Sequence, residues 1–151
     1  MSEEFEILLV EDDPADVELT LHALRGGNLS NRIQVARDGE EALDVLFSRI
    51  PRADRDWVRP PRIILLDLKL PKVDGLEVLR TVKTDPRTQA IPVIILTSSR
   101  EERDRVAGYR LGANSYIQKP VDFEQFRQVI KQLGLYWLVV NEPPPRAAFA
   151  P

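Results

Sequence analysis

The chain has 151 residues, 21 Lys+Arg against 24 Asp+Glu, a formal charge of −3 with its single histidine neutral, and no cysteine. That length is one domain's worth, and the slight acidic excess offers no footprint for nucleic acid or an anionic membrane, so neither is an expected partner. The absence of cysteine excludes disulfides, thiolate metal sites and a cysteine nucleophile, and a lone His22 excludes a histidine-cluster metal centre, so any metal must sit on oxygen.

In chain order, Ile7-Leu8-Leu9-Val10 reads as a first strand, followed by helical spacing at Val17, Leu21 and Leu24 that Pro14 opens and Gly26-Gly27-Asn28 closes. His22 falls on the surface of that helix. The alternating Ile33-Gln34-Val35 is a second strand, and Ala42, Leu43, Leu46 and Phe47 mark a second helix. Residues 48–61, with Pro51, Trp57, Pro60 and Pro61, form a long exposed loop. Then come Ile63-Ile64-Leu65-Leu66, a helix carrying Val78, Leu79 and Val82, Val93-Ile94-Ile95-Leu96, a helix carrying Val106 and Tyr109, Tyr116-Ile117, and a last helix carrying Phe126, Val129, Ile130 and Leu133. Ser98 with Glu101, and Asp122 with Gln125, have capping-box spacing. Runs without alternation imply strands covered on both faces, so the expected architecture is α/β, a three-layer sandwich with a parallel sheet. The single domain spans 1–140 with an apolar extension at 134–140. A Pro-rich tail, 141–151, is expected to be extended or disordered, since Pro143-Pro144-Pro145 fits neither helix nor ladder.

In an open parallel sheet the residues that follow each strand gather at one edge. Here they are Glu11-Asp12-Asp13, Asp67, Thr97 and Lys119-Pro120. Asp13 also suits a helix cap, Thr97 a turn and Lys119 the solvent. Asp67 is less easily dismissed, because a carboxylate closing a buried run is costly to desolvate without a partner or a task. Glu11, Asp12 and Asp67 in one pocket repel by up to about 4 kcal/mol per close pair at 4 Å and an effective dielectric of about 20. A divalent cation removes that repulsion, and with oxygen donors alone the expected ion is Mg²⁺, shared with a phosphoryl group.

These residues carry a resemblance. Over residues 5–133 the chain resembles the receiver domains of two-component response regulators: the Glu11-Asp12 pair, Asp67 with Leu70-Pro71-Lys72-Val73-Asp74-Gly75 after it, Thr97-Ser98, Gly112-Ala113, and Tyr116 through Lys119-Pro120. The resemblance implies five parallel strands in the flavodoxin-like order 2-1-3-4-5 with five helices. It makes Asp67 the phosphoacceptor, and Glu11, Asp12, Asp67 and the Lys69 carbonyl the Mg²⁺ ligands, Glu11 acting through water. Thr97 and Lys119 would bind the phosphoryl oxygens, and Tyr116 would be a switch residue, although simple packing also suits an aromatic there. The Lys119–Pro120 bond would be cis. Glu11 stands where the family more often has aspartate.

The implied function is phosphoryl transfer from a sensor histidine kinase, read out through helix 4, strand 5 and helix 5. The ending and the long loop look most like single-domain regulators that partner bacterial phytochrome histidine kinases. Only 31 residues follow Pro120, too few for a DNA-binding or catalytic output domain. The wholly apolar Leu135-Tyr136-Trp137-Leu138-Val139-Val140 segment either folds back or forms a homodimer interface, with Leu135 through Val139 as its residues. Its six residues fall far short of the ~20 a spanning helix needs, and Met1-Ser2-Glu3-Glu4 lacks a basic signal region, so the expected location is the cytoplasm. Two rivals stand beside this reading. A Mg²⁺-dependent phosphohydrolase is disfavoured because Lys69 occupies the place of its second acid. The other is a receiver-like scaffold that transfers no phosphate.

Overall fold

The computed structural model describes residues 5–26, 32–49 and 60–149. Five strands, β1 (Ile7–Val10), β2 (Ile33–Ala36), β3 (Ile63–Leu66), β4 (Val93–Thr97) and β5 (Ser115–Gln118), pair in parallel in the order β2-β1-β3-β4-β5. Five helices connect and follow them: α1 (Pro14–Gly26), α2 (Gly39–Phe47), α3 (Gly75–Thr84), α4 (Glu102–Arg110) and α5 (Phe123–Leu135). The three-layer sandwich is as the sequence pattern predicts, and the strand order is the one the resemblance implies.

Strand periodicity divides the core in two. Leu8 and Val10, Ile64 and Leu66, and Val93 and Ile95 face one side, where Ala42, Leu46, Val78, Leu79 and Val82 of α2 and α3 cover them. The intervening Ile7 and Leu9, Ile63 and Leu65, and Ile94 and Leu96 face the other, against Val17 and Leu24 of α1 and Phe126, Ile130 and Leu133 of α5. Every residue of β1, β3 and β4 is buried, and each large side chain so placed contributes about 1.5–3 kcal/mol of transfer free energy.

Helix starts follow local chemistry. Asp38, Asp74 and Asp122 cap α2, α3 and α5, accepting from the amides of Glu41 (2.8 Å), Leu76 (3.3 Å) and Gln125 (3.0 Å). The Asp122–Gln125 spacing therefore marks a real cap. The Ser98–Glu101 spacing does not: Glu101 is the N-cap of α4 and makes no side-chain cap bond, while Ser99 accepts from the Glu101 amide at 3.2 Å. α4 is also the least anchored helix. Gly108 alone is buried in it, and Val106 and Tyr109 stand 42% and 52% exposed.

The C-terminal part departs from the expected extended tail. After α5 the chain makes a π-helical turn, Tyr136–Val140, and later a 3₁₀ helix, Arg146–Phe149. Phe149 is buried in the same core half as Phe5, and the Arg49 guanidinium lies 4.3 Å over the Phe5 ring. Gly27 and Asn28, and residues 50–59 of the long loop with Pro51 and Trp57, lie outside the described residues. His22 is exposed on α1.

Candidate functional site

The register places the chemistry. Val10 lies beside Ala36 and Leu66, and Leu66 beside Ile95, so β1, β3 and β4 finish at one edge. Backbone bonds extend this pairing past the strand ends: Glu11 N donates to Ala36 O (3.0 Å), Asp67 N to Val10 O (3.0 Å) and Lys119 N to Thr97 O (2.7 Å). Residues 108 positions apart in the chain thereby meet, with Lys119 Nζ 2.7 Å from Glu11 Oε1.

Glu11, Asp12 and Asp67 each offer a carboxylate oxygen, and these oxygens lie within 4.8 Å of one another. Glu11 and Asp67 are buried while Asp12 is exposed, an arrangement open on one side. Asp67 Oδ1 accepts from the Leu68 amide at 2.7 Å. Helix α3 presses against this turn so closely that a Cβ on Gly75 would lie 2.3 Å from the Asp67 carbonyl oxygen, which is why a glycine follows Asp74. The donors are all oxygen and three carboxyl groups share a small space, a set that fits a hard divalent cation such as Mg²⁺.

Lys119 extends from the end of β5 into this cluster with its side chain only 7% exposed. Its ammonium donates to Glu11 Oε1 and Asp16 Oδ2, both at 2.7 Å, and to Asp67 Oδ2 at 3.4 Å. No described peptide bond is cis, so the expected cis Lys119–Pro120 bond is corrected to trans. The long lysine stem reaches the pocket without it. One ammonium is shared among more carboxylates than it can neutralise. Burial pushes the Glu11 carboxyl up to about 7, with Asp67 adding to the rise and Lys119 opposing it. For Lys119 burial acts downward, but the hydrogen bonds to Asp16 and Glu11 outweigh it and hold the ammonium above its ordinary range.

Thr97 is fully buried at the end of β4, its Oγ1 accepting from the Ser99 amide at 3.2 Å. Tyr116 is half-buried, with its ring 6.4 Å from that of Tyr109. Its hydroxyl faces Ser99 without closing a hydrogen bond of ordinary geometry, and burial pushes the phenol upward. Lys69 is exposed, two residues after Asp67. The structure thus gathers Glu11, Asp12, Asp67 and Lys119 in one place, with Thr97 on the adjoining strand. Asp16 was not anticipated. Its signal is the one acid in the first turn of α1, one residue before the buried Val17.

The apolar ending divides. Leu138 is buried and the partly buried Trp137 packs against the α1/α5 core, the arrangement of a segment that folds back at these two residues. Leu135, Tyr136 and Val139 are 50%, 49% and 63% exposed. Among the described residues no helix is long and apolar enough to cross a membrane.

This fold and edge define a receiver domain. The family model for the response regulator receiver domain matches residues 7–131, and the chain belongs to that family. Within it the chain is related to phytochrome response regulators. The phosphorylated cyanobacterial phytochrome response regulator RcpA superposes with a TM-score of 0.83 at 37% identity, covering 94% of this chain and 100% of its own. The bacteriophytochrome response regulator AtBRR is 54% identical with a TM-score of 0.67, covering 92% of this chain and 99% of its own. The probable methanogenesis regulatory protein FilR2 of Methanothrix harundinacea (strain 6Ac) is 42% identical over 141 residues, 93% of this chain and 88% of its own.

Proposed function

We propose that this receiver accepts a phosphoryl group on Asp67 from a sensor histidine kinase, in a Mg²⁺-dependent reaction, and that the kinase is a bacteriophytochrome. The observation that carries the reading is the convergence of three carboxylates within 4.8 Å with an ammonium 3.4 Å from the acceptor. A carboxylate oxygen of Asp67 attacks phosphorus as the bond to the donor histidine nitrogen breaks. Little covalent assistance is required, because such transfer depends on position and on cancelling charge at the equatorial oxygens. Lys119 supplies a fixed positive charge there, and the Thr97 hydroxyl a buried donor. Glu11, Asp12, Asp67 and the Lys69 carbonyl would hold Mg²⁺, which when bound supplies charge neutralisation at the phosphoryl oxygens.

The acyl phosphate adds about −1.5 to −2 charges at the edge of β3. Contacts to Thr97 and Lys119 made only in that state shift a two-state equilibrium. Tyr116 lies beside the sparsely anchored α4, which is where low local stability lets such a shift be read. The surface formed by α4, β5 and α5 is the output face. Leu135, Tyr136 and Val139 form a homodimer contact at the end of α5, braced from within by Trp137 and Leu138.

The test is phosphotransfer from ³²P-labelled kinases. Transfer from a bacteriophytochrome histidine kinase is expected to outpace transfer from unrelated histidine kinases. Equal rates from all of them would remove the phytochrome assignment, and no transfer from any of them would remove the phosphoacceptor reading.

A further inference from the structure

We propose that Asp16 is a positioning residue for Lys119, holding the ammonium over the acceptor while the other carboxylates around it are engaged elsewhere; the inference rests on the phosphoacceptor reading above. The lysine has three N–H donors and three carboxylate acceptors, at 2.7 Å (Glu11), 2.7 Å (Asp16) and 3.4 Å (Asp67). Two of those acceptors, Glu11 and Asp67, belong with Asp12 to the cluster suited to a cation. Ligation of a cation takes their lone pairs, and esterification takes the charge of Asp67. Asp16 stands outside that cluster and keeps its charge through each of these events.

Placement supports the role. Asp16 comes from the first turn of α1 and Lys119 directly follows β5, so the pair ties the start of the first helix to the end of the last strand. The Asp16 side chain is 25% exposed against 7% for Lys119, which sets the carboxylate at the mouth and the ammonium inside. A cleft of about 380 Å³ lined by Ala15, Asp16, Leu19, Pro120 and Phe126 opens beside Lys119. A four-carbon ammonium stem has many rotamers, and without the Asp16 carboxylate that cleft gives it room to leave the acceptor.

The test uses the full chain and the variants Asp16→Ala, Asp16→Asn and Lys119→Met. With saturating Mg²⁺, which engages Glu11 and Asp67, the Lys119 ammonium is followed by ¹⁵N-detected NMR. The wild type is expected to show a slowly exchanging Nζ signal that Asp16→Asn retains in part and Asp16→Ala loses. With saturating Mg²⁺ and acetyl phosphate, Asp16→Ala is expected to slow phosphorylation of Asp67 about tenfold, the worth of one charge-assisted hydrogen bond, and Asp16→Asn to recover part of that loss because it keeps an acceptor oxygen. Combined with Lys119→Met, Asp16→Ala should cause no further slowing, since its effect runs through the lysine. A wild-type rate in Asp16→Ala, an additive loss in the double variant, or a fall in Mg²⁺ affinity that accounts for the slowing would each overturn the assignment. Absence of any adduct on wild-type Asp67 would instead overturn the phosphoacceptor reading, and the NMR signal would still decide whether Asp16 holds the lysine.

Discussion

Glu11 gives the site a pH dependence that can be worked out from its surroundings. Burial raises its carboxyl to about 7 in the metal-free protein, against an ordinary value of 4.5. A proton and a divalent cation therefore compete for the same oxygens near neutrality. If only the ionised form binds, the available fraction rises from about one-eleventh at pH 6 to about ten-elevenths at pH 8, so Mg²⁺ affinity is expected to increase about tenfold over that interval. Calorimetric titrations in two buffers of different ionisation enthalpy measure both quantities. They should show the affinity gain and the release of about half a proton per Mg²⁺ at pH 7. Glu11→Gln should abolish the release. For stability the sign is opposite: the native carboxyl holds its proton more tightly than the unfolded one, so this contribution to the metal-free protein is fully present below 4.5 and is lost as pH rises through about 7. An affinity that stays flat from pH 6 to pH 8, with no proton released, would refute the reasoning.

Four further outcomes are expected. Lys83 Nζ donates to Gln89 O (2.9 Å), Ile91 O (2.7 Å) and Asn114 Oδ1 (3.1 Å), tying α3 to the start of β4; Lys83→Met should cost about 1–3 kcal/mol in urea unfolding by leaving these acceptors unpaired. Burial pushes Lys83 down to about 8 from 10.5, so the unfolded chain binds more protons between those values and stability should rise with pH across that window, a slope that Lys83→Met removes. Phe149→Ala should cost about 2–3 kcal/mol, less than the 3–5 of an interior phenylalanine because the last turn can detach, and hydrogen exchange should localise the loss to the Phe5 and Phe149 region. Replacing Tyr136 and Val139 together by Ala should lower the solution mass measured by light scattering from dimer to monomer without lowering the unfolding midpoint.

The layers were legible because β1, β3 and β4 are short continuous apolar runs of strand length, as strands covered on both faces have, while the strand order came from the resemblance to receiver domains. The site was legible for a related reason: parallel strands deliver whatever follows Val10, Leu66, Leu96 and Gln118 to one edge, so Glu11, Asp67, Thr97 and Lys119 needed no distance information to be grouped. Asp16 escaped because a first-turn acid is ordinary helix-start chemistry, and only the path of the Lys119 side chain from another element gives it a partner. Phe149 escaped because prolines say where a chain cannot make a ladder and leave open where one aromatic beyond them will pack. The trans Lys119–Pro120 bond and the absence of a Ser98 cap have the same origin. Each depends on how one turn meets its neighbours, which the spacing of residues does not encode.

The central claim is that Asp67 accepts phosphate. It is tested most directly by intact-mass spectrometry after incubation with Mg²⁺ and acetyl phosphate, comparing the native chain with Asp67→Ala and treating each with hydroxylamine. The account predicts a single phosphoryl adduct on the native chain, removed by hydroxylamine and absent from the variant. An adduct that persists in Asp67→Ala, or none on the native chain even when a phosphorylated histidine kinase is the donor, would contradict it.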